Sequence, residues 1–152
     1  MAPTIRRATE TDLPAILHLL NSYYEEWDIW QRDPESKVLD DLRHPTQGFF
    51  LSEIDGTPAA CVLLRNLPAI PNATECKRLY VAPEYRGHRL AGALMQHAED
   101  HARGHGLHWI YLDTKDEFTA AIALYRRRGY EDTPRYNDNA QATIFLRKSL
   151  TV

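Results

Sequence analysis

Two cysteines, Cys61 and Cys76, are all that this chain of 152 residues carries. They form no C-x-x-C pair and are too few for a disulfide framework. Each lies in a strand-like run where a reduced thiol packs well, so a reducing, cytoplasmic setting is expected. Long apolar runs are also missing: no stretch approaches the roughly 18 residues of a membrane span. The N-terminal MAPTIRRATETD lacks the apolar segment of a secretory leader, so neither export nor a membrane partner is expected. Excess charge is missing too. A formal net charge of −3 argues against affinity built on neutralising nucleic-acid phosphates. His97, His101 and His105 recur every four residues on one helical segment, but no cysteine or carboxylate at ligand spacing completes a tetrahedral set. No metal is expected.

What is present is an ordinary globular composition, 43% hydrophobic and 26% charged, at the size of one domain spanning residues 1–152. Thr4 to Ala8 reads as a strand. Thr9 and Asp12 then form a capping box before a helix with apolar Leu13, Ile16, Leu17 and Leu20. Asp33-Pro34 reads as a second helix start, aspartate as N-cap and proline in the first turn. Gly48 to Ile54 and Pro58 to Leu67 are β-prone and joined through Asp55-Gly56, a tight hairpin turn. Thr74 to Val81 is the next strand. A helix from Leu90 to about Arg103, a strand from Trp109 to Leu112, a helix from Phe118 to Arg128 stopped by Gly129, and a strand from Ala142 to Arg147 complete the chain. The order is an α/β pattern: one mixed sheet with helices on both faces.

One segment carries chemistry. VAPEYRGHRLAGAL, Val81 to Leu94, runs from a strand through a proline-bounded turn and an Arg-Gly pair into a helix. The first turn of a helix offers unpaired N–H groups and about half a positive charge, an anion site. Gly87 lets the backbone approach that anion.

From Glu75 onward the wording ECKRLYVAPEYRGHRLAGALM, then LDT, then ALYRRRGYE resembles the GNAT family of N-acetyltransferases in order, spacing and residue type. The resemblance spans about Thr74 to Tyr130. It implies the GNAT fold, one mixed, mostly antiparallel twisted sheet, with acetyl-CoA as acetyl donor and no metal. The family's pyrophosphate loop maps onto Arg86, Gly87, His88, Arg89, Leu90 and Ala91, with Gly92 in the helix that follows. Where the family has the middle glycine of this loop this chain has Arg89, a cation that either pairs with a cofactor phosphate or avoids the site. The resemblance further implies that Leu79, Tyr80 and Val81 offer backbone to the pantetheine arm. It also implies that Arg128, from the run Arg126 to Arg128, lies near the cofactor's 3′-phosphate.

Acetyl transfer requires a neutral amine, and holding a lysine-like amine neutral at pH 7 costs about 4.6 kcal/mol. Glu75 occupies the strand position of the general base in the family's histone-acetylating branch; Asp113 is the second choice. Tyr125 matches the tyrosine that family members place beside the cofactor sulfur, where hydrogen bonding to a developing thiolate suits a phenol. Tyr24, Trp27 and Trp30, in an acidic and aromatic segment, border the acceptor side by resemblance, with Asp113. They suggest a small cationic amine held by aromatic faces and carboxylates. A protein or peptide acetyltransferase and a non-catalytic acyl-CoA sensor are the alternatives. Family habit implies a homodimer.

Overall fold

The computed structural model describes residues 2–151. In chain order the elements are β1 (Pro3–Arg7), α1 (Leu13–Trp27), α2 (Glu35–Arg43), β2 (Gly48–Ile54), β3 (Thr57–Asn66) and β4 (Ala73–Val81). Then follow α3 (Leu90–Gly104), β5 (Trp109–Thr114), α4 (Thr119–Arg127), β6 (Glu131–Asp132) and β7 (Ile144–Ser149). The strands form one sheet in the order β1-β2-β3-β4-β5-β7-β6. Only β4 and β5 pair in parallel; the other neighbours are antiparallel.

The central strands are apolar almost without interruption because both faces of the sheet are covered. Successive side chains of a strand point to opposite faces. Accordingly Phe50, Val62, Leu64 and Cys76 join the core beneath α3 and α4, while Phe49, Leu51, Cys61 and Leu63 join the core beneath α1 and α2. Each helix brings one apolar stripe: Ile16, Leu19 and Leu20 from α1, and Leu90, Leu94, Met95 and Ala98 from α3.

Local signals mostly hold. Asp12 accepts the Thr9 backbone N–H at 2.8 Å, closing the capping box, and Asp55 and Gly56 have φ of 50° and 79°, the left-handed pair of a tight hairpin. Asp33 does not cap α2, which starts at Glu35 with Pro34 in the cap position. Its carboxylate instead receives Arg65 Nη2 at 3.1 Å and Arg78 Nη2 at 3.3 Å. Two guanidinium partners outweigh a backbone N–H at a solvated helix end. The last strand runs later than its sequence pattern suggests, Ile144–Ser149, because residues 133–142 form an ordered loop with a separate task.

Candidate active site

The parallel pairing of β4 with β5 covers only Ala73↔Trp109 to Cys76↔Leu112, although β4 continues to Val81 and β5 to Thr114. The cause lies on the other side of β4. Between the pairs Leu63↔Lys77 and Cys61↔Tyr80, β4 carries one residue more than β3, a bulge that bends a strand away from its line. Arg78 takes up the bend in the left-handed region, with φ 59°. For a non-glycine residue this costs about 1–2 kcal/mol. It is held there by Asp33, by the Gln31 carbonyl at 3.0 Å and by the ring of Tyr24 at 5.5 Å. Past Cys76 the β5-facing edge of β4 has no strand partner, and a cleft of about 990 Å³ opens beside it.

Leu79, Tyr80 and Val81 line that cleft, as do Arg86, Gly87, Arg89, Leu90, Ala91 and Gly92 from the turn and first turn of α3. Gly87 has φ 88° with nothing near a hypothetical Cβ, so its requirement is conformational. Arg89 sits at the N-cap of α3 with φ 60° and ψ 27°, a left-handed conformation that glycine adopts without strain. Its side chain is exposed at the cleft rim, whereas neighbouring His88 is exposed and lines no cleft. Arg86 is already engaged: Nη2 meets Glu26 at 2.8 Å and Nε meets the Val81 carbonyl at 3.0 Å. Tyr80 donates to the same Glu26 oxygen at 2.9 Å.

Tyr125 lines the cleft from α4 and is 6% exposed. Its hydroxyl has no hydrogen-bond partner among the described residues, and burial pushes the phenol well above its ordinary pKa. It therefore stays protonated and can only donate toward an anion formed in the cleft. Arg128 is elsewhere. Its guanidinium grips Glu99 at 2.8 and 3.1 Å and Gln96 at 2.8 Å. Glu99 is 1% exposed and also receives Lys148 at 2.7 Å and Tyr130 at 2.9 Å. A buried carboxylate needs these donors, so Arg128 serves the core and its neighbour Arg127 lines the cleft.

A smaller cleft of about 50 Å³ adjoins the first. Tyr23, Lys77, Arg78, Asp113, Thr114 and Phe118 belong to both. Asp113 accepts Asn137 Nδ2 at 2.6 Å and Asn139 Nδ2 at 3.2 Å. Glu75 lines neither cleft. It accepts Tyr136 Oη at 2.8 Å and the same Asn137 Nδ2 at 3.0 Å. Lys77 Nζ lies 3.6 Å from Glu75 and 3.8 Å from Asp113. The two carboxylates thus form one network with Asp113 in front. Burial, then the Glu75 charge, pushes the Tyr136 phenol far up, which fixes it as a donor.

Of the three acceptor-side aromatics Tyr24, Trp27 and Trp30, none lines this smaller cleft. Tyr24 is 3% exposed, packed beneath Arg78 and Arg32, and its hydroxyl accepts the Asp33 N–H at 3.0 Å. Trp30 is 67% exposed and lines neither cleft. Only Trp27 reaches the larger one, edge-on to Phe118 at 4.5 Å. Tyr136, Asn137, Asn139 and Gln141 carry no site signal in the sequence, because a YNDNAQ run signals no more than a loop. His101 Nε2 meets the Thr46 carbonyl at 2.6 Å and its ring lies 4.3 Å from that of His105. Among the described residues no group of three or more His, Cys, Asp or Glu is arranged to hold a metal ion.

The chain is similar to known acetyltransferases. The acetyltransferase (GNAT) family matches residues 13–130. The IAA acetyltransferase of Azospirillum brasilense is 31% identical over 137 residues, 86% of each chain. An aminoglycoside N(6')-acetyltransferase type 1 of Stenotrophomonas maltophilia is 28% identical over 141 residues, 88% of this chain and 90% of that one. In fold, a Salmonella typhimurium acetyltransferase solved with acetyl-CoA superposes with a TM-score of 0.83 at 20% identity, over 100% of this chain and 96% of that one. With the family matched across most of its length and its sheet opened beside β4, the chain belongs to the acetyltransferase (GNAT) family.

Proposed function

We propose that the chain moves the acetyl group of acetyl-CoA to a primary amine of a small molecule, by direct attack with both substrates bound, in the reducing cytoplasm. The observation that carries this reading is the unpaired β4 edge, opening into a cleft whose wall holds the unpartnered Tyr125 hydroxyl. The residues fit the donor. An extended polar arm can complete the hydrogen bonds of the β4 edge at Leu79, Tyr80 and Val81. The first turn of α3 with Arg86, Gly87 and Arg89 suits a pyrophosphate, and Arg127 replaces Arg128 as the cation offered to the cofactor's 3′-phosphate. Bound acetyl-CoA supplies the electrophilic thioester carbonyl.

Asp113 stands where the two clefts meet and takes the ammonium proton, directly or through water. Glu75 stands behind it, linked through Asn137. Tyr125 donates a hydrogen bond to the leaving sulfur as charge develops. No cysteine serves as an acyl carrier in this scheme. Burial pushes the Cys61 thiol up to about 12 and raises Cys76 further still, so neither supplies a thiolate.

A small acceptor is favoured over a peptide because the acceptor cleft is small, about 50 Å³, and two loops beside it are tied together. Gln141 clips the loop after α1 to the loop before β7: Trp30 N–H donates to Gln141 Oε1 at 2.7 Å and Gln141 Nε2 to the Asp28 carbonyl at 3.0 Å. The cationic acceptor suggested by Tyr24, Trp27 and Trp30 lacks the cage that those three would form, since Tyr24 is buried, Trp30 is exposed and only Trp27 reaches the larger cleft. The test is amine-dependent release of the CoA thiol from acetyl-CoA over a panel of amino acids, amines, polyamines and peptides, with the product identified by mass. Transfer to a small amine supports the proposal. Transfer to peptides alone, or tight acetyl-CoA binding without turnover, overturns it.

A further inference from the structure

Around the small cleft the charges are unevenly placed. Lys77, Arg78 and Lys115 line it, against one carboxylate, Asp113. Arg78 is committed to Asp33 and the Gln31 carbonyl. The other two have capacity to spare. Lys115 Nζ holds the Trp27 carbonyl at 3.2 Å and Glu117 at 2.6 Å, but the Glu117 side chain is 57% exposed, and such pairs are weak and readily exchanged.

Lys77 is the more telling case. Its side chain is 14% exposed, and its nearest carboxylate oxygens lie at 3.6 and 3.8 Å, on Glu75 and Asp113. No acceptor lies within hydrogen-bond distance among the described residues. The two carboxylates are themselves capped by Tyr136, Asn137 and Asn139. An ammonium with three donors, largely withdrawn from water, is stabilised by any anion that enters the cleft.

We infer that the acceptor is an amino acid-like molecule carrying a carboxylate near its reactive amine, with that carboxylate bound by Lys77 and Lys115 in the small cleft and the amine at Asp113. The inference rests on the acetyl-transfer reading above and adds the acceptor's chemical class. The room available, about 50 Å³, suits a carboxylate-sized group. A second ammonium there would meet the Lys77 and Lys115 ammoniums in place of a carboxylate that pairs with them, which disfavours diamines.

The experiment pairs α- and ω-amino acids with their amides and adds a diamine, in the thiol-release assay. For the preferred acid, kcat/KM exceeds that of its amide by about tenfold or more, the scale of a charge-assisted hydrogen bond. Lys77→Met and Lys115→Met each bring the acid-to-amide ratio toward one. Taking the ratio within one variant cancels any effect on Asp113, and two variants guard against one failing to fold. Titration calorimetry on the protein loaded with CoA gives a readout without turnover: the N-acetylated acid binds about tenfold more tightly than the N-acetylated amide. Amines acetylated with no preference for the acid, or a ratio unchanged in both variants, overturn the inference while leaving acetyl transfer intact. No thiol release from any amine, with no calorimetric preference, removes both.

Discussion

The larger cleft is walled chiefly by two stretches of chain, 76–92 with the unpaired β4 edge and 113–127, whereas the smaller one is walled by residues drawn from 23–31, 77–78, 113–118 and 139–142. A backbone site depends on the course of the chain and tolerates a changed side chain, as Arg89 shows by holding a glycine-like φ of 60°. A side-chain site depends on which residues meet across the sequence. One such meeting is Asn139 with Asp113, 26 positions apart. Outside the six residues that the clefts share, cofactor recognition and acceptor choice are therefore separable by substitution.

The largest expected effect lies outside both clefts and tests whether Arg128 belongs to the core. Glu99→Ala leaves Arg128 and Lys148 without their buried partner and lowers stability by about 3–5 kcal/mol in urea unfolding. The same network sets an acid limit. Burial acts to raise the Glu99 pKa, but hydrogen bonds from Arg128, Lys148 and Tyr130 outweigh it and leave the carboxyl below its ordinary 4.5. Its stabilisation is thus complete above about pH 4.5 and is lost as pH falls through the lowered folded value. Glu99→Gln flattens that part of the stability profile.

Next comes the cofactor cleft. Tyr125→Phe removes one donor and lowers kcat by about 100-fold, with KM for acetyl-CoA little changed; an unchanged kcat removes Tyr125 from the chemistry. On the acceptor side, Gln141→Ala breaks two neutral hydrogen bonds and raises the acceptor KM by roughly tenfold without altering the KM for acetyl-CoA. If both constants move together, the two clefts are not independent. The smallest effect is that of Arg89→Gly. It relieves about 1 kcal/mol of left-handed strain, offset in part by the entropy of glycine, so Tm rises slightly. CoA binding weakens by a few-fold in calorimetry as one cation leaves the rim.

These halves also differ in how much of them the sequence discloses. The strand, turn and helix from Ala73 to Gly104 follow from apolar period, proline and glycine, all local signals, and the anion site follows from them. The bulge is the exception: Arg78 takes the left-handed turn, and nothing in an arginine announces a positive φ. Arg128 and Arg127 are indistinguishable as letters; only the buried Glu99 on α3, 29 positions away, selects between them. Glu75 and Asp113 were both legible as candidate bases. Their ranking depended on Tyr136 and Asn137, which approach from 61 and 62 positions downstream of Glu75. Asp33 was misread for the same reason, since its partners Arg65 and Arg78 lie 32 and 45 positions on.

The central claim is that the unpaired β4 edge receives the donor. Hydrogen–deuterium exchange with saturating acetyl-CoA and no acceptor tests it most directly. The account predicts new protection concentrated in residues 77–81 and 86–92, with residues 28–33 and 137–142 unchanged. Protection absent from 77–81, or appearing mainly in the two acceptor-side loops, would contradict it.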